Sequence, residues 1–79
     1  ELVEIGFEAK LFNVSNNNSY KGLCDFLQEQ GRDVTACNAN SGAWAATIER
    51  ADKQWCVDSS GYAKELVPPL EERTECLPL

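Results

Sequence analysis

Four cysteines set the limits within which this chain can fold. Cys24, Cys37, Cys56 and Cys76 are spread through 79 residues that contain no histidine. No Cys-x-x-Cys pair is present, and structural zinc sites draw on closely spaced ligands, so the four thiols make a poor metal site. An even number of isolated cysteines in so short a chain reads instead as two disulfides. A domain of this size buries a small core and needs such a staple, a metal or a partner. Disulfides persist in oxidising surroundings, which predicts a secreted, periplasmic or cell-surface protein. Four cysteines permit three pairings, and their spacing leaves all three open.

The 13 acidic residues outnumber the 7 basic ones, for a net charge of -6. The bases Lys10, Lys21, Arg32, Arg50, Lys53, Lys64 and Arg73 are scattered. Without a basic stripe, binding to nucleic acid through phosphates or to an anionic membrane is disfavoured. No run approaches the ~20 apolar residues that span a bilayer, and no signal peptide is visible. The chain starts at Glu1 and lacks methionine. An oxidised protein needs an export route, so the expectation is that a segment before Glu1 has been removed.

The length predicts one domain, residues 1–79. The opening "ELVEIGFEAKLF" fits two templates. As a helix it puts Leu2, Ile5, Ala9 and Phe12 on one stripe; as a strand it alternates Val3, Ile5, Phe7, Ala9 and Leu11 with mostly polar neighbours. Periodicity does not arbitrate between them, and Gly6 weakens both. The Asn-rich "NVSNNNSYKG" predicts a loop or helix exit, because asparagine tolerates the left-handed conformation. Asn13-Val14-Ser15 and Asn17-Asn18-Ser19 match the glycosylation sequon, although turn chemistry is the favoured explanation of both. "DFLQEQG" predicts a short helix capped by Asp25 and ended by Gly31. A loop around Cys37 follows.

Three strands are expected next, "AWAATIE", "QWCVD" and "YAKELV", with Trp44, Ala46 and Ile48 on one face. The connectors "RADK" and "SSG" suit hairpin loops. Pro68-Pro69 ends this meander, since proline cannot donate to a ladder. The tail "LEERTECLPL" lacks periodicity and would be tied down by Cys76.

Nothing in this pattern predicts catalysis. Asp58-Ser59-Ser60 has no histidine base and no nucleophile elbow, and a hairpin turn accounts for it. Nothing marks Lys53 or Lys64 as a base. The pair Glu71-Glu72 reads as solvated surface. Asp25, Asp33, Asp52 and Asp58 lack the spacing of a calcium loop. Trp44 and Trp55 read as core rather than as platforms for sugars or bases. The expectation is no enzyme activity, no cofactor and no metal.

Two segments resemble a known family. "AKLFNVSNNNSYKGLC" is similar to the exit of the long N-terminal helix in type IV pilins and pseudopilins, with Ala9, Leu11, Phe12, Asn17, Asn18, Ser19 and Tyr20 in matching places. Phe12 stands where that motif usually has tyrosine, Asn18 where it has glycine, and Lys21-Gly22 where it has proline. "SGAWAA" followed by "WCVDSSG" is similar to runs in disulfide-bearing bacterial pilin-like proteins.

The resemblance implies an α+β fold. Residues 1–14 would be the C-terminal half of a long helix laid on a three-stranded antiparallel sheet at 43–67. Residues 15–42 would connect them with a short helix, and 68–79 would form a disulfide loop and tail. It further implies that Cys56 and Cys76 bound the C-terminal loop called the D-region. The pairing expected is Cys24–Cys37 with Cys56–Cys76, each closing a loop of moderate length; Cys24–Cys56 with Cys37–Cys76 is the runner-up.

The function implied is that of a structural subunit, a major or minor pilin or a pseudopilin, in an extracellular filament anchored in the inner membrane before assembly. Its partners would be other subunits, met through a hydrophobic helix upstream of Glu1, and a host-cell or surface ligand met through the Cys56–Cys76 and Asn38–Gly42 loops. The alternative is a secreted, disulfide-stapled binding module such as an adhesin or inhibitor domain.

Overall fold

The opening segment is a helix, α1 (Leu2–Ser15), in the computed structural model, which describes residues 2–66 and 69–76. The strand-like alternation has a simple origin. At about 100° per residue, the apolar positions divide into two stripes on opposite sides of the helix. Leu2, Ile5, Ala9 and Phe12 form the first, with Ile5 and Ala9 fully buried. Val3, Phe7, Leu11 and Val14 form the second. A helix that is apolar on two sides mimics a strand when read one residue at a time.

The helix ends where asparagine was expected to end it. Asn17 and Asn18 take positive φ values of 58° and 60°. The Asn18 amide donates to the Asn13 carbonyl at 2.8 Å, and Asn16 Nδ2 donates to the Phe12 carbonyl at 2.8 Å.

The second helix, α2 (Leu23–Glu29), begins earlier than predicted. Its N-cap is Gly22, at φ 88°, so Asp25 sits inside the first turn and is not the cap. Gly31, at φ 79°, follows its end, and the Arg32 amide donates back to the Leu27 carbonyl.

The sheet has four strands, not three: β1 (Val34–Ala39), β2 (Trp44–Arg50), β3 (Lys53–Asp58) and β4 (Ala63–Glu65), antiparallel and in sequence order. The segment expected to be a loop around Cys37 is edge strand β1. Its register shifts between Val34 and Ala36, and such a bulge breaks the period-two alternation by which a strand is recognised. β4 is shorter than the predicted 62–67; Val67 and Pro68 lie outside the described residues.

Alternation along β2 and β3 separates two cores. Trp44, Ala46, Ile48 and Val57 pack with Ile5, Ala9, Leu23 and Leu27 under the helices. Ala45 and Cys56 face the other way, against Leu66, Leu70 and Cys76. The C-terminal tail is therefore a third layer rather than a loose end. Cys24 is bonded to Cys37, joining α2 to β1, and Cys56 to Cys76, joining β3 to the tail. These bonds are consistent with a secreted or extracellular protein.

Gly6 lies mid-helix, where glycine costs about 1 kcal/mol relative to alanine. A Cβ there would meet only Val57 Cγ2, at 4.0 Å, an ordinary contact. Gly6→Ala is expected to raise stability by about 0.5–1 kcal/mol in a denaturant titration.

Candidate functional site

Among the described residues, the large apolar side chains that the fold leaves exposed all lie on the outward stripe of α1. Val3 is 83% exposed, Phe7 62%, Leu11 52% and Val14 69%. Isolated apolar residues on a surface need no explanation, but a contiguous patch marks an interaction site.

The rotation that presents this stripe is fixed from both sides. Inward, Ile5 and Ala9 lock into the core. On one flank, Arg32 grips the helix from the segment after α2: its Nε donates to Glu8 Oε1 at 2.8 Å and its second terminal nitrogen to Glu8 Oε2 at 2.9 Å. Glu4 lies 3.6 Å from the same guanidinium. The hydrogen bond from Arg32 holds the Glu8 carboxyl below the usual glutamate range, against a smaller opposing effect of burial. On the other flank runs a groove of about 490 Å³ between α1 and the β3–β4 hairpin, lined by Gly6, Lys10, Val14, Trp44 and Val57 among others.

The sheet's opposite face presents the stapled tail, and Asp58 is its clamp. Asp58 is 4% exposed. Its Oδ2 accepts the Cys76 amide at 2.7 Å. Its Oδ1 accepts the Ser60 hydroxyl at 2.6 Å and the amides of Ser60 and Tyr62 at 2.9 and 3.2 Å. Burial pushes the Asp58 pKa up, but the hydrogen bonds from Cys76, Ser60 and Tyr62 outweigh it, so the carboxyl sits below the usual aspartate range. A carboxylate depressed on folding stabilises fully above its unfolded value, about 3.9. That contribution is lost as pH falls through the lower folded value. Glu8 adds to the same trend. Acid titration below about pH 4 is expected to loosen the tail. Asp58→Asn should flatten this pH dependence and cost about 1–3 kcal/mol at neutral pH, because an amide nitrogen would face an amide donor. Thermal melts across pH check both.

The other residues singled out from the sequence are dispersed. Ser59 and Ser60 lie in the β3–β4 turn, where Gly61 has φ 97°. Asp25 and Asp33 share a groove beside β1, while Asp52 stands in the β2–β3 turn. Among the described residues no three His, Cys, Asp or Glu gather as metal ligands would. Trp44 is buried in the helix-side core and Trp55 packs against it. Glu71 and Glu72 are exposed.

The Asn38–Gly42 segment is not a free loop. Asn38 belongs to β1, and its side-chain amide donates to the carbonyls of Glu71 and Arg73 at 2.6 and 2.9 Å. Asn40 Oδ1 closes the remaining turn by accepting the amides of Gly42 and Ala43, both at 2.8 Å. The two segments expected to carry recognition thus form one connected surface.

The outward stripe was absent from the sequence-derived site residues. Its signal was present, as a second set of apolar positions at spacings of four, four and three in a segment whose first set already accounts for a buried face. No family model matches the chain, and neither a curated protein nor a solved structure shows significant similarity to it.

Proposed function

We propose that this chain is the globular part of a structural subunit, a pilin or pseudopilin, in a type IV pilus-like filament outside the cytoplasm. Such filaments serve adhesion, motility, DNA uptake or secretion. The observation that carries the reading is α1 itself, which packs on an antiparallel sheet by one face and leaves the opposite face apolar and exposed. A subunit that stands beside copies of itself buries that second face on assembly, whereas a secreted monomeric module would leave it wet. The stapled tail on the far side of the sheet matches the disulfide loop that the resemblance implies.

The reading requires an apolar helix upstream of Glu1, which anchors the subunit in the membrane and later bundles with other copies in the filament. Without it, a stripe of four side chains falls short of the roughly 800 Å² per partner that holds a stable complex. A net charge of -6 also keeps heads apart. The isolated domain should sediment as a monomer. Deleting the full-length gene tests the function: surface filaments, or the secretion or uptake they support, should disappear. Wild-type filaments in the deletion strain, together with a hydrolase activity in the purified protein, would refute it.

A further inference from the structure

At the pole where α1 begins, Leu2, Ile48, Arg50, Ala51 and Trp55 line a largely apolar pocket of about 390 Å³. We infer that this pocket takes one acyl chain of a zwitterionic phospholipid, with the lipid phosphate on Arg50.

The pocket is held open by its own walls. Ile48 is packed into the helix-side core, and Trp55 is packed against that core and donates its indole Nε1 proton to the Arg50 carbonyl at 3.3 Å. These two walls are therefore set before any ligand arrives, which lowers the cost of binding. An apolar pocket with one charged side chain in its lining has the chemistry of an amphiphile site. Arg50 is exposed and forms no ion pair among the described residues. A guanidinium matches a phosphate oxygen pair better than any other basic side chain does.

The choice of headgroup follows from charge. A net charge of -6 opposes an anionic lipid surface. A phosphocholine or phosphoethanolamine group supplies the phosphate without net charge. An indole in the lining suits the boundary between acyl chain and headgroup. The source of the lipid rests on the proposed function: an anchor preceding Glu1 would bring this pole of the domain to the bilayer surface. Binding of a soluble short-chain lipid does not depend on that reading, so either can fail alone.

The test is tryptophan emission from the Trp44→Phe variant, in which Trp55 is the sole reporter, during titration with dihexanoylphosphatidylcholine below its micellar concentration. A saturable blue shift is expected, together with chemical-shift changes confined to residues 2, 48–52 and 55 in the unsubstituted protein. Arg50→Gln should weaken binding by about tenfold, the effect of losing one charge-assisted hydrogen bond. Inorganic phosphate, which has no acyl chain, should bind at least as weakly as the lipid binds the variant. Three results would overturn the inference: no shift of the reporter and no chemical-shift change in the unsubstituted protein, equal binding of a neutral alkyl glucoside, or an Arg50→Gln variant that binds as tightly as the parent.

Discussion

Cys76→Ser is expected to cost about 3 kcal/mol and to release the chain beyond Pro69 while α1 and β1–β3 remain folded. The bond to Cys56 closes a segment of 20 positions, and both of its cysteines are fully buried. What it holds is a separate layer. Leu66, Leu70 and Cys76 pack with Ala45 and Cys56 on the sheet face away from the helices, whereas Ile5, Leu23, Leu27 and Trp44 form their own cluster. Loss of the bond also weakens the Asp58 clamp, because the Cys76 amide no longer has a fixed position opposite Oδ2. Hydrogen exchange should show amides of β2 and β3 still protected and those after Leu70 fully exchanging. Complete unfolding of the variant would show that the two layers form one cooperative unit.

Phe7→Glu is expected to leave the isolated domain's stability within about 0.5 kcal/mol of the parent and, if the chain is the filament subunit proposed above, to abolish filaments when placed in the full-length protein. Phe7 is 62% exposed and centred in the outward stripe, so the domain loses almost nothing when it is replaced. On assembly the same side chain would be buried. Burial of a phenylalanine contributes about 1.5–3 kcal/mol, and an unpaired carboxylate in its place costs considerably more. In the filament proposed above every subunit would repeat the contact, so the deficit would multiply along it. Electron microscopy of cells carrying the variant, beside melts of the purified domain, separates the two effects. Wild-type filaments from the variant would show that the stripe takes no part in assembly.

How much of this was legible in the sequence differs between elements, for physical reasons. Trp44, Ala46 and Ile48 alternate cleanly because one face of β2 is packed under helices, and that strand and the β2–β3 hairpin were readable. β1 was not, because an edge strand made of Thr35, Ala36, Cys37 and Asn38, and interrupted by a bulge, carries no run of large apolar residues. Its pairing comes from β2, and tertiary context of that kind leaves no local mark. Asp25 looked like a helix cap by residue type, yet a glycine in the left-handed conformation already starts the turn. The outward stripe was in view but was absorbed into the ambiguity between helix and strand. Arg32, which fixes the rotation of α1, could not be read, since its partners Glu4 and Glu8 lie more than twenty positions away and only the fold brings them together.

The two disulfides also decide how the molecule bears load. Tension applied between Leu2 and Cys76 passes along the backbone to Cys24, crosses to Cys37, runs to Cys56 and crosses again to Cys76. Most of α2, the start of β1, all of β4 and the stretch through Leu70 lie inside covalent shortcuts and cannot be drawn out. Among the described residues, α1, the loop after it and the strands between Cys37 and Cys56 can lengthen. A fibre that pulled on such units in this way would keep the stapled surface covalently closed on a stretched chain.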